Sequence, residues 1–120
     1  MTDEPDISKM LKPIGKPVTF RYPNNEGDKK GILKDRSVIP SDPNNDVPYW
    51  DVVDLIEFPE EELEWIRIGY YRKPKDRLVW AGQTTITEPI SVWKRILTQT
   101  AREKSWFRRL LLDVVMELKE

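Results

Sequence analysis

Between Pro17 and Ile86 apolar side chains recur at every second position, and after Pro89 they recur at steps of three and four. A period of two marks a strand with one apolar face, and a period of 3.6 marks an amphipathic helix. No helical stretch separates one strand-like run from the next, so no βαβ crossover is available to make a parallel sheet. Strands in sequence followed by helix predict an α+β fold with an antiparallel sheet.

The runs can be placed one by one. Val18, Phe20 and Tyr22 alternate with Thr19 and Arg21 in a strand ended by Pro23, and residues 23–30 (PNNEGDKK) form a hairpin loop by composition. Gly31 to Ile39 reads as a second strand whose polar middle, Lys34-Asp35-Arg36, predicts an exposed or edge position. Residues 40–48 hold three prolines and five Asn, Asp or Ser residues, which forbids both helix and ladder. Tyr49 to Phe58 is the strongest strand, with Trp50, Val52, Ile56 and Phe58 on one face and Val53 and Leu55 on the other. Residues 59–62 end it as a turn or as the first turn of a short helix. Leu63 to Arg72, a tight turn at Lys73 to Asp76, and Arg77 to Thr85 complete about five strands. The expected sheet spans residues 16–86 and is bent, either SH3-like or a partly open barrel.

From Pro89 the stripe Trp93, Ile96, Leu97, Thr100, Phe107, Leu110, Leu111, Val114 and Leu118 predicts a helical element over 89–119. Pro89 suits the first helical position, with Thr87 or Glu88 as the cap. The stripe weakens over residues 101–105, and one helix of about 30 residues would run roughly 45 Å, longer than a domain of this size is wide. A break or bend near Ser105, giving a helix pair, is therefore expected. Residues 1–15 scatter Ile7, Met10, Leu11 and Ile14 among acids, Pro5, Pro13 and Gly15, which reads as a loosely ordered arm with room for one helical turn and with apolar residues that can dock on the body. The remainder, 16–120, has the size of a single domain.

Composition narrows the chemistry. The 120 residues contain neither Cys nor His, which excludes disulfide scaffolds, thiolate metal sites, and Ser-His-Asp or Cys-His catalysis. Glycines stand at 15, 27, 31, 69 and 82, and no spacing among them makes a phosphate-binding loop. Asp51, Asp54 and Glu57 could be imagined as a magnesium site for phosphodiester hydrolysis, but they alternate faces on a strand and lack the Lys that such nuclease cores place two residues after a carboxylate. The expectation is a non-enzyme with no catalytic residues, no cofactor and no metal. The acidic start MTDEPDISKMLKPIG does not resemble a signal peptide, and no apolar run approaches the roughly 20 residues that span a bilayer. A soluble, cytoplasmic protein with no membrane contact is expected.

The formal charge of −1 conceals a strong segregation. Residues 1–64 carry 8 Lys/Arg and 15 Asp/Glu, whereas 65–112 carry 11 and 3. Opposite charges paired across neighbouring strands would explain this, and so would a basic patch facing an anionic partner. Trp65, Tyr71 and Trp80 are interleaved with Arg67, Arg72, Lys73, Lys75 and Arg77, the combination with which single-stranded nucleic acids are bound, rings on bases and cations on phosphates. On the helical element Trp106, Leu112, Val115 and Met116 fall off the main stripe and leave an apolar face over after packing. The leading expectation is a small interaction module that binds a protein partner through the helix Pro89 to Lys119 or the exposed edge strand Gly31 to Ile39, or forms a homodimer through the C-terminal helix. The alternative is a nucleic-acid-binding module built on the hairpin 65–80.

Overall fold

The computed structural model describes residues 3–21, 28–41, 44, 46–81 and 86–120. Helix α1 (Asp3–Leu11) precedes strands β1 (Pro17–Arg21), β2 (Asp28–Pro40), β3 (Tyr49–Phe58), β4 (Leu63–Arg72) and β5 (Val79–Trp80), and helices α2 (Ile90–Glu103) and α3 (Ser105–Leu118) close the chain. The strands form one antiparallel meander in the order β1-β2-β3-β4-β5, as the alternation predicts. Tyr22, most of the 23–30 loop, parts of the 40–48 loop and the end of the expected strand Arg77 to Thr85 lie outside the described residues.

The sheet is curled into a half barrel. Phe20 on β1 and Trp65 on β4 are three strand spacings apart, roughly 14 Å in a flat sheet, yet their ring centroids are 6.2 Å apart. That approach requires the sheet to bend around the face both rings share, which is therefore the inner one. On β3 the inner face carries Trp50, Val52, Asp54, Ile56 and Phe58, and the outer face carries Asp51, Val53 and Leu55. Gly31 sits at a close approach between β2 and β3, where a Cβ would lie 2.9 Å from the Glu57 carbonyl oxygen, the Ile56 side chain and the Phe58 ring. Only a residue without a Cβ fits there.

Two apolar cores lie on opposite sides of the sheet. Outside, Ile39 and Val53 are buried against Ile96 of α2 and Phe107 of α3. Inside, Leu33, Ile56 and Phe58 pack with Ile14, Val18 and Phe20. The expected loose arm contains a nine-residue helix, α1, whose Met10 is fully buried. Asp6 and Met10, four residues apart on one face of α1, are its buried residues, Asp6 paired with Lys73 and the Met10 carbonyl with Arg36, and Gly15 then takes the positive φ of 90° that turns the chain into β1.

Strand β2 corrects the reading of an edge strand, since it pairs with both β1 and β3. Its polar middle is tolerated because each residue has a partner. Lys34, in a bulge, bonds Glu64 at 3.0 Å; Asp35 accepts from Lys104 and Trp106; and Arg36 is buried against Asp54. The helix pair is also explained by Asp35. Lys104 leaves helical geometry (φ −123°, ψ 114°) and its Nζ donates to Asp35 Oδ1 at 3.0 Å, while Trp106 Nε1 donates to Oδ2 at 2.9 Å. One carboxylate thus holds both sides of the break. Burial pushes the Asp35 carboxyl up, but the donors Trp106 and Lys104 outweigh it and hold it below the ordinary carboxylate value.

Candidate functional site

The inner face gathers a ladder of rings and cations. Trp65, Arg67, Gly69 and Tyr71 share that face of β4 by alternation, and Trp80 of β5 lies across from Tyr71 with ring centroids 4.8 Å apart. The Arg67 guanidinium stands 5.0 Å from the Trp80 ring and 5.6 Å from that of Phe20, and Lys29 Nζ lies 4.3 Å from the Trp65 ring. At the other end the Arg36 guanidinium is 5.2 Å from Trp80 and 5.3 Å from Tyr71. Trp65 and Trp80 each keep 38% of their surface exposed, although both rings are already packed against cations and other rings.

Of the eight residues singled out from the sequence for a nucleic-acid surface, four converge here: Trp65, Arg67, Tyr71 and Trp80. The other four do not. Arg72 is exposed, at the position after the inward Tyr71; Lys73 turns to Asp6 of α1 at 2.9 Å; and Lys75 and Arg77 are exposed in the connection to β5. Phe20, Lys29 and Arg36 complete the ladder from strands far away in sequence, and periodicity within one hairpin could not find them.

Below the ladder lies a buried charge cluster. Asp54 is fully buried and accepts from both guanidiniums: Arg36 Nε at 2.6 Å and Nη2 at 3.0 Å, Arg67 Nε at 3.1 Å and Nη2 at 2.9 Å. Arg36 Nη1 also donates to the Met10 carbonyl at 2.8 Å and to the Tyr71 hydroxyl at 2.7 Å. A carboxylate in the run Val52-Val53-Asp54-Leu55-Ile56 is the one sequence signal that could have revealed this cluster, because a charge on an apolar strand needs a buried partner. The charge segregation is thus answered partly by internal pairing between the acidic and basic halves: Asp54 with Arg67, Asp6 with Lys73, and Asp35 with Lys104.

A second constellation sits on the outer face, at the entry to α2. Tyr49, Asp51, Tyr70, Ile86, Thr87 and Glu88 line a cavity of about 260 Å³. The expected cap of α2 is not formed by Thr87 or Glu88: Pro89 occupies the N-cap without a side-chain bond, and Glu88 instead accepts from the Tyr49 hydroxyl at 3.1 and 3.2 Å. Asp51 is 1% exposed, and among the described residues its Oδ2 receives no hydrogen bond. Burial, then the hydrogen bond and charge of Glu88, push the Asp51 carboxyl up to about 7 against the opposing pull of Arg95. Two ionised carboxylates offer acceptors only, so Asp51 and Glu88 can bond each other only with a proton between them. Tyr49 is raised as well, by burial and by Glu88.

The sign of the pH dependence follows. Asp51 ordinarily loses its proton near 3.8 and in the fold keeps it to about 7. Between those values the folded chain holds the extra proton, so stability falls as pH rises through that window and this group contributes no further change above it. Asp51→Asn is expected to flatten the decline when melting temperature is followed against pH. An offset between the two proteins that is constant with pH would mean that Asp51 is ionised in the fold.

The C-terminal helix divides into an anchored and a free half. Phe107 is buried; Trp106 is held by Asp35 and meets Phe107 edge-to-face at 6.0 Å, so it belongs to the body. Leu112, Val115 and Met116 are 58%, 45% and 62% exposed, joined by Val114 and Leu118 at 46% and 80%. Among the described residues no three acids converge as a metal would require, and Asp51 and Asp54 point to opposite faces of β3. No helix among them is long and apolar enough to cross a membrane. Comparison with protein-family models, curated proteins and solved structures finds no match to this chain.

Proposed function

We propose that this chain is a non-enzymatic interaction module whose docking element is the second half of α3, and that the partner it fits is a second copy of itself. The observation that carries this reading is the run Leu112, Val114, Val115, Met116 and Leu118, all exposed on a helix whose first turns are fixed to the body by Phe107. An anchored helix with a bare apolar end is covered in its working state. Its charges favour its own kind. Arg108 and Arg109 lie in the first half, and Asp113, Glu117 and Glu120 lie in or just past the second. Two such helices side by side and antiparallel bring cations against carboxylates at both ends about a two-fold axis, whereas a parallel pair would oppose like charges. The absence of Cys suits a cytoplasmic setting.

Sedimentation equilibrium tests this. The wild type is expected to be a dimer that Leu118→Glu dissociates with its circular dichroism unchanged. Arg108→Glu with Arg109→Glu, and separately Glu117→Arg with Glu120→Arg, are each expected to be monomeric and to form a heterodimer when mixed. A wild type that stays monomeric at the highest attainable concentration rejects self-docking.

A second reading rests on the inner face. The partly exposed rings of Trp65 and Trp80, with Arg67 and Lys29 against them, support binding of single-stranded nucleic acid, in which each stacked base contributes about 1–3 kcal/mol. A mixed oligonucleotide is expected to quench tryptophan emission at low salt, the effect fading as salt rises and weakening in Trp80→Ala. No quenching of the folded protein at low salt sinks this reading.

A further inference from the structure

We propose that the cavity between β3, β4 and the entry to α2 is a binding site for an alkylammonium group, held by the carboxylates of Asp51 and Glu88. Three features converge on that chemistry. Asp51 lines the cavity, and its Oδ2 is buried with no donor from any described residue. A buried acceptor in this state requires a donor, which here is either a proton or a ligand. The second acid, Glu88, shares the same cavity and already takes one donor from Tyr49, which leaves acceptor capacity for another. The remaining walls are Tyr49, Tyr70, Ile86 and Thr87, mostly carbon, and an aromatic ring attracts a cation further.

Each other class of ligand fails on one of these features. An anion meets two carboxylates. A neutral apolar molecule leaves Asp51 Oδ2 without a donor. A divalent metal needs more oxygen ligands than the pair supplies, and no group of three acids stands here among the described residues. An ammonium carries three N–H donors and no acceptor, so it can bond both carboxylates while its carbon chain lies against Ile86 and the tyrosines. At about 260 Å³ the cavity falls below the roughly 300–1,000 Å³ of sites for drug-sized ligands, which suits a group of a few heavy atoms. The charged and titratable groups that face Asp51 are Glu88, Tyr49 and Tyr70 around the cavity and Arg95 of α2; Arg95 is turned to the Pro40 carbonyl at 3.4 Å. Without a ligand the donor for Asp51 is a proton shared with Glu88. A bound ammonium replaces it, so binding releases a proton.

The test is an amide chemical-shift titration of the full chain with n-butylammonium chloride, with n-butanol and calcium chloride as controls. Saturable shifts are expected over 49–52 and 86–88, with affinity about tenfold higher at about pH 8 than at about pH 6 because a proton must leave a group titrating near 7. Asp51→Asn is expected to lose at least about tenfold in affinity, and Glu88→Gln to do the same, the two variants guarding against loss of fold in either. Nα-acetyl-lysine methylamide separates two sources of the same group. If it binds as well as n-butylammonium, the site takes a lysine side chain; if only the free amine binds, the site takes a small amine. No saturable shift at the higher pH, equal shifts with n-butanol or calcium, or undiminished binding by folded Asp51→Asn overturns the proposal.

Discussion

Asp54→Asn is expected to cost about 3–5 kcal/mol, the largest loss of any single polar substitution in this chain. The carboxylate is fully buried and is shared by two guanidiniums, one of which, Arg36, is itself 3% exposed. An amide of the same shape keeps the volume but removes the charge that neutralises both arginines. Arg36 cannot turn to water, because its remaining nitrogen is committed to the Met10 carbonyl and the Tyr71 hydroxyl. Against the roughly 5–15 kcal/mol that separates folded from unfolded domains, such a loss brings the protein close to unfolding at ambient temperature. Urea denaturation measures it directly. Arg36→Met combined with Asp54→Leu should destabilise less than Asp54→Asn alone, since it removes the buried pair rather than one partner. A cost below about 1 kcal/mol for Asp54→Asn would show that the cluster is solvated.

Phe107→Ala should cost about 3–5 kcal/mol, whereas Leu118→Ala, only 11 positions further along the same helix, should stay within about 0.5 kcal/mol. Phe107 is 3% exposed and packs with Ile39, Val53 and Ile96, so truncation opens a cavity where sheet, α2 and α3 meet. Leu118 is 80% exposed and has nothing to lose in the isolated chain. The comparison must be made at low protein concentration, where association adds nothing to apparent stability. Equal losses in the two variants would mean that the end of α3 is packed on the body, and the docking surface would disappear with that finding.

Local pattern determined a good deal here. The alternation through Tyr49 to Phe58, the prolines of 40–48 and the change of period at Pro89 were enough for an antiparallel sheet followed by helices, because side-chain periodicity is a property of neighbours in the chain. The weak stripe before Ser105 likewise located the break between α2 and α3. Across elements the same reasoning failed. Lys34-Asp35-Arg36 read as a solvated edge, and only the folded chain supplies Glu64, Lys104, Trp106 and Asp54 to pair with them from strands and helices 18 to 71 residues away. Glu88 read as a helix cap, yet α2 packs on the outer face of the sheet, where Tyr49 donates to Glu88 and Asp51 lines the same cavity. Periodicity along the chain thus located the cores of β1 to β4 and the helices after Pro89, but not α1 or the start of β2. Which charges are buried together emerges from the folded arrangement alone, since burial of a charge depends on partners that periodicity does not contain.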